Sequence, residues 1–409
     1  VEVAECGFER QLRMTSIIVP DTVKKINNAA FYDCVRLEKM TLPFTGKSED
    51  AYGYEAVFGY IFGYTTTRYS SGAGSNYSGE FVNDQYGNVD GAVWQYTYRY
   101  NQVVSSSRVS VYYYIPSSIK EVIITKQTEV KNAVFNGCDS VEKVVYENGI
   151  DYDIGEAAFQ NCESLTNFNS EVDGQIDLSG ESTAVGASAF ANCKSIQSYV
   201  LGEYITSIED YAFSGCNQLK EVHFTDWIEL IGDYAFRGCN KVKEVVVPNS
   251  VSLIGVGAFN GWTSLESISL PFTGRSEEPR FQYSEALAGG GGPAYYEQVL
   301  GFIFGYTTTR YTGGAGSNYG GEFLNEQYGN VEGAVWQYTY RYNSVVASSR
   351  LSLFYYIPSS LREVTITKQT DVAIAAFNGC TMLTKITFVN GIESTGECAF
   401  QNCNAEIIQ

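Results

Sequence analysis

The residues of this chain that could carry chemistry are ten cysteines, one histidine, 46 acidic side chains and a dense set of 32 tyrosines. Eight cysteines keep one place, three residues after a phenylalanine: Phe31…Cys34, Phe135…Cys138, Phe159…Cys162, Phe190…Cys193, Phe213…Cys216, Phe236…Cys239, Phe377…Cys380 and Phe400…Cys403. Cys6 and Cys398 instead sit two residues before a phenylalanine. None forms a CxxC pair, the spacing zinc sites use, so no metal site is expected. Small buried hydrophobes with inert thiols fit this fixed placement. Equivalent places in stacked coils lie about 4.8 Å apart, so bridging is also sterically conceivable.

Nothing else assembles a catalytic set. A Ser/His/Asp triad would have to use His223, and no GxSxG elbow is present. Gly72–Asn76 and Gly314–Asn318 are glycine-rich but lack the GK[ST] of a phosphate loop, and read as turns. Asn83, Asp84, Asn88 and Asp90, with Asn325, Glu326, Asn330 and Glu332, offer oxygen ligands, but not at the spacing of a calcium loop. A solvated acidic turn is the expected reading. The acids provide no reason to single out a pair for glycoside chemistry. Asn76-Tyr77-Ser78 is the single glycosylation sequon, and the matching position later in the chain is Gly320. No catalytic residue, cofactor or metal is therefore assigned.

The elements that hold these residues repeat. Most neighbouring phenylalanines of the pattern are 23 residues apart, with Phe8 and Phe259 keeping the frame although Gln11 and Trp262 take the cysteine place. A period of this length predicts a solenoid, in which each unit must stack on the next to bury its apolar face. In one coil Val245 and Val247 alternate as in a half-buried strand, Pro248 ends the ladder, and Asn249-Ser250 turn the chain. Ile254-Gly255 is a second short extended piece, and Ala258-Phe259 pack a short helical or 3₁₀ turn inside. The expected fold is a strand-rich α/β solenoid, with a parallel sheet on one face and short turns on the other.

The run L-x-x-V-x-[LV]-P…I-G…A-F-x-x-C resembles the BspA-like class of leucine-rich repeat. That resemblance implies a single leucine-rich-repeat solenoid over residues 1–409, located extracellularly or on a cell surface, with adhesion or partner binding as the usual role. It carries over no catalytic residues.

Two inserts, 44–118 and 272–360, interrupt the step. They are copies: Val57–Cys138 aligns without gaps on Val299–Cys380, with 62 of 82 positions identical. The preceding coils, Phe8–Gly46 against Phe236–Gly274, match at 14 of 39. Either a recent partial duplication or a shared surface requirement accounts for this. The opening segment Phe58–Phe62 is expected to replace the helical turn of its coil. Trp94, Tyr96, Tyr98 and Tyr100 alternate with Gln95, Thr97 and Arg99, and Val109–Ile115 follows, predicting a β-hairpin. Trp336, Tyr338, Tyr340 and Tyr342 repeat the row. These eight aromatics are the candidate interface, since Tyr and Trp dominate binding hot spots. The competing reading packs the row against the insert's own loop or the solenoid flank.

Charge narrows the partners. A formal net charge of −19 and a pI near 4.5 disfavour nucleic acid. No apolar run is long enough to span a bilayer. The chain starts at Val1 and stops at Gln409 in mid-coil without polar caps, and no signal peptide is visible. A processed chain, a fragment, or ends that stack on neighbours are the expectations. The leading functional reading is an interaction or adhesion scaffold for a protein partner. Self-association as a structural subunit of an extracellular filament or array is the alternative, and glycan binding a third.

Overall fold

Alternating burial shapes the first element of each coil. The computed structural model describes residues 1–66, 92–100, 108–277, 297–308, 334–342 and 350–409. The chain divides into two compact units: Val1–Ile205 with Gly215–Asn217, and Thr206–Ser214 with Gln218–Gln409. In the first, a seven-stranded parallel sheet runs in the order 198–201, 175–178, 167–168, 143–146, 121–124, 39–42, 16–18. Met40, Val122 and Val144 share one register line, and Leu42, Ile124 and Tyr146 the next. All six are buried, while Thr41, Ile123 and Val145 between them are only partly so. The period of two thus places one row in the core and one outside.

The second unit repeats the arrangement with a five-stranded parallel sheet, in the order 244–246, 267–270, 363–366, 385–388, 406–408. Its coils add a second parallel run, 207–208, 230–231 and 253–254.

Opposite the sheet, the phenylalanines form a column. Ring centroids are 5.4 Å apart for Phe135–Phe159, 5.2 Å for Phe159–Phe190 and 5.2 Å for Phe213–Phe236, with interplanar angles of 10°, 5° and 10°. The stacking follows from backbone bonds between coils. Phe135 N–H donates to Ala158 C=O at 2.7 Å, and Phe213 N–H to Ala235 C=O at 2.7 Å. The residue two before each phenylalanine is left-handed: Ala29, Ala133, Ala157, Tyr211 and Tyr234 have φ of 56°, 54°, 53°, 59° and 53°. The residue two after is left-handed as well, in Gly137, Asn161, Gly215 and Gly238. Left-handed residues cannot continue an α-helix, so the ordinary coils pass through successive turns such as Tyr32 N–H to Ala29 C=O (3.0 Å) and Cys34 N–H to Phe31 C=O (3.3 Å).

The inserts leave this stack intact. Strand Lys39–Leu42 pairs directly with Glu121–Ile124, and Ser267–Leu270 with Glu363–Ile366. The 3₁₀ helix Phe58–Phe62 is wholly buried and supplies the missing rung. Phe31 N–H reaches Ile61 C=O at 2.9 Å, and Phe58 N–H reaches Val134 C=O at 2.9 Å. The rings follow: Phe31–Phe62 6.4 Å, Phe62–Phe58 5.2 Å, Phe58–Phe135 5.2 Å. In the second unit Leu300–Phe304 does the same, with Phe259 N–H on Ile303 C=O (2.9 Å) and Leu300 N–H on Ala376 C=O (2.9 Å). The segment does replace its coil's turn, as the sequence suggested.

Candidate functional site

Each insert then leaves the stack as a three-stranded antiparallel sheet. In the first the order is Tyr64–Thr66, Arg108–Pro116, Ala92–Tyr100; in the second Tyr306–Thr308, Arg350–Pro358, Ala334–Tyr342. The predicted hairpin is present in both, with Trp94 opposite Tyr114 and Trp336 opposite Tyr356. The short first strand, Tyr64–Thr66, was not legible as a strand. Its three residues are too few to show a period.

The base of each sheet is fixed in the solenoid. Tyr113, Tyr114 and Ile115 are 0%, 1% and 0% exposed, so both faces of the strand are covered there. The alternation expected over 109–115 gives way at the base to a run buried on both sides, as the consecutive apolar residues Tyr112–Ile115 could have signalled. Tyr113 Oη donates to the Tyr54 carbonyl at 2.5 Å. Tyr114 meets Tyr32 edge-on, with centroids 6.1 Å apart, and packs with Ala29. Tyr355, Tyr356 and Ile357 are buried equivalently in the second copy. From the base pair Ala92–Pro116 to the far pair Tyr100–Arg108, the strand extends about 27 Å at the usual rise of about 3.4 Å per residue.

Register places the candidate interface. Trp94, Tyr96, Tyr98 and Tyr100 lie opposite Tyr114, Tyr112, Ser110 and Arg108, and so share one face of the sheet. Trp336, Tyr338, Tyr340 and Tyr342 lie opposite Tyr356, Phe354, Ser352 and Arg350 in the same way. The sequon Asn76, the two glycine-rich turns and the oxygen-rich segments at 83–90 and 325–332 lie outside the described residues.

The cysteine place has a specific job. In the ordinary coils its Sγ donates to the carbonyl of the preceding coil's phenylalanine, Cys34 to Phe8 (3.1 Å), Cys162 to Phe135 (3.1 Å), Cys193 to Phe159 (3.1 Å) and Cys216 to Phe190 (3.2 Å), whereas Cys380, in the coil after the second insert, reaches Asn378 C=O at 4.0 Å. Where the sequence has Trp262 instead, the indole N–H makes the same bond to Phe236 C=O at 2.8 Å. A buried carbonyl is thus satisfied by whichever donor fits. Burial pushes the Cys216 thiol up to about 12, and raises Cys138, Cys162, Cys193 and Cys380 as well. A thiol held protonated is neither nucleophile nor ligand at neutral pH. His223 is exposed, joins the sheet through a single bridge to Val246, and has Nε2 3.0 Å from a Glu221 carboxylate oxygen. Among the described residues no group of three or more His, Cys, Asp or Glu could hold a metal ion, and no helix is long and apolar enough to cross a membrane.

Comparison with known proteins matches this architecture. The chain matches a model of the BspA type leucine rich repeat region in six copies, over residues 2–56, 107–177, 183–283 and 350–409. The two long gaps fall within the inserts. No curated protein matches the chain. Among solved structures, a leucine-rich repeat protein from Bacteroides ovatus is 17% identical, with 98% of this chain and 68% of that one covered and a TM-score of 0.39. A T. pallidum leucine rich repeat protein is 24% identical over 43% of this chain and 69% of that one, at a TM-score of 0.28. A leucine rich cell surface protein from Faecalibacterium prausnitzii is 17% identical over 72% and 79%, at 0.26. With its repeat model matched over most of its length and its coils stacked on a parallel sheet, this chain belongs to the BspA-type leucine-rich-repeat family.

Proposed function

We propose that the protein is a non-catalytic binding scaffold of the cell surface or extracellular space, which contacts a protein partner through its two insert sheets. The observation that carries this reading is the way the sheets are mounted. Each is anchored at its base by buried Tyr113–Ile115 or Tyr355–Ile357, yet neither interrupts the coil stack beneath it. The core closes through the rungs Phe58–Phe62 and Leu300–Phe304 without the sheets beyond them, yet Val57–Cys138 and Val299–Cys380, which contain those sheets, are identical at 62 of 82 positions, while the coils before them differ at most sites. Trp94, Tyr96, Tyr98 and Tyr100, with Trp336, Tyr338, Tyr340 and Tyr342, are the proposed contact residues. Family membership supports a scaffold in place of an enzyme, and the buried, protonated thiols offer no nucleophile.

The test replaces Trp94, Tyr96, Trp336 and Tyr338 by serine. Retention on surfaces coated with extracellular-matrix protein, mucin or the protein itself is measured beside the thermal transition. Hot-spot aromatics cost about 2 kcal/mol or more each on truncation. Retention should fall sharply with the melting temperature nearly unchanged. A variant that melts much earlier, or that binds as before, would contradict the reading.

A further inference from the structure

The partner of these sheets can be narrowed from their edges. In each insert the strand Ala92–Tyr100 or Ala334–Tyr342 is outermost, and among the described residues no strand pairs with its outer side. The two strands have the same nine-residue sequence, AVWQYTYRY. A long edge strand is a template for another chain unless it is guarded by proline, lysine or a bulge. This one contains neither proline nor lysine, and it pairs with its inner neighbour without a bulge over all nine residues.

Backbone direction shows what the edge offers. Tyr114 N–H donates to Gly63 C=O at 3.1 Å, on the side of the short strand Tyr64–Thr66. Backbone groups alternate in direction along an antiparallel strand, so Tyr113 turns its own towards its partner Gln95. Gln95, with Val93, Thr97 and Arg99, is therefore bonded inward. Trp94, Tyr96, Tyr98 and Tyr100 carry their N–H and C=O on the outer edge, which no described strand pairs. The second copy repeats this, with Tyr356 N–H on Gly305 C=O at 2.9 Å and Gln337 opposite Tyr355.

We infer that these edges pair with the same edges of a second copy of this chain, antiparallel and centred on Tyr96 or Tyr338. This deepens the contact reading above and rests on it. Centring on Tyr96 sets Trp94 opposite Tyr98, Ala92 opposite Tyr100, and Tyr96 opposite itself. Every residue with outward backbone groups then meets another such residue, as a hydrogen-bonded pair requires. The same register stacks aromatic on aromatic, the most favourable cross-strand pairing. Arg99, the only charged residue of the strand, falls opposite Val93 and not opposite its own copy. A chain of net charge −19 repels its copies, and these strands are segments without an acid where close approach is not opposed. Because each chain carries two such edges, pairing propagates into open chains of molecules.

The experiment compares proline with alanine at the centre of the edge, in the full chain. Tyr96→Ala with Tyr338→Ala removes the rings and keeps the backbone donors. Tyr96→Pro with Tyr338→Pro also removes an outward N–H, a change an edge strand tolerates without losing its inner ladder. Sedimentation velocity across a concentration series is expected to show growing oligomers for the parent, weakened ones for the alanine pair and monomer for the proline pair. Tyr96→Pro alone leaves one edge and should stop at dimer. Hydrogen exchange of the parent supplies a readout free of mutation: protection of the 92–100 and 334–342 amides should rise with protein concentration. A parent that stays monomeric, with exchange independent of concentration, overturns the inference. If such a monomer still loses surface retention in the serine variant, the contact reading stands without it. Equal loss in the alanine and proline pairs also overturns edge pairing, and points to the aromatic face.

Discussion

Cysteine, tryptophan and asparagine show at the residue scale what each repeat position demands. The place three after phenylalanine demands a donor for a buried carbonyl, and Cys162 and Trp262 both supply one. The sequence showed a fixed small residue there but not its hydrogen bond, because a thiol's acceptor lies in another coil. Thiol reactivity follows burial. Cys6, Cys398 and Cys403 are at least partly exposed and the other seven cysteines are buried. Alkylation of the native protein should label those three, and denaturation without reductant should expose all ten; fewer than ten would mean disulfides. A second residue-scale prediction concerns Asp233. Its Oδ1 accepts Val256 N–H at 2.8 Å, and burial raises its carboxyl above the usual carboxylate range. The folded state therefore takes up the proton before the unfolded state does, and the residue's contribution to stability improves as pH falls through that raised value towards about 4. Asn132 fills the same role for Glu156 N–H at 2.8 Å in another coil, so an amide fits the place. Asp233→Asn should be at least as stable as the parent at pH 7, with the difference shrinking on acidification, while Asp233→Ala should lose about 1 kcal/mol with its acceptor. Denaturant midpoints of the three at pH 7 and pH 4.5 check this.

The strands were the most legible elements and the turns the least. Val245, Ile268 and Val364 repeat a period of two that the sheet reproduces in register. The turns were expected as short helical or 3₁₀ turns, and continuous 3₁₀ helix forms at Phe58–Phe62 and Leu300–Phe304. Ordinary coils use paired left-handed residues instead. In most coils one of the pair is signalled by Gly or Asn, as at Gly238 or Asn161, although Arg10 and Asp33 stand there in the first two; the other includes Ala29 and Tyr234, residues that announce no positive φ. Their conformation is imposed by stacking, with Tyr234 N–H held by Val256 C=O at 3.0 Å. The hairpin was readable from Trp94–Tyr100, whereas its anchoring was not, because Tyr113 and Tyr114 are buried by partners distant in sequence. The insert's 3₁₀ rung should matter as much as an ordinary coil. Phe62→Ala and Phe236→Ala are each expected to cost about 3–5 kcal/mol, measured by chemical denaturation. A change near zero for Phe62 alone would show that the column is broken at the insert.

The whole molecule combines a core that is continuous within each unit with two sheets that the core does not need. Solenoid stability is approximately a sum of coils and their interfaces, so an excursion between paired strands can be removed if its ends meet. They do: Tyr64 is the register partner of Tyr113, and Tyr306 of Tyr355. The measurement that tests the account most directly replaces residues 65–112 and 307–354 each with an Asn-Gly turn, the two-residue link suited to an antiparallel pair. Thermal unfolding and association of this shortened chain are then compared with the parent's. The account predicts a cooperative transition close to the parent's, with surface retention and self-association lost. A chain that fails to fold would place the sheets in the core, and one that folds and still associates would place the contact surface on the ordinary coils.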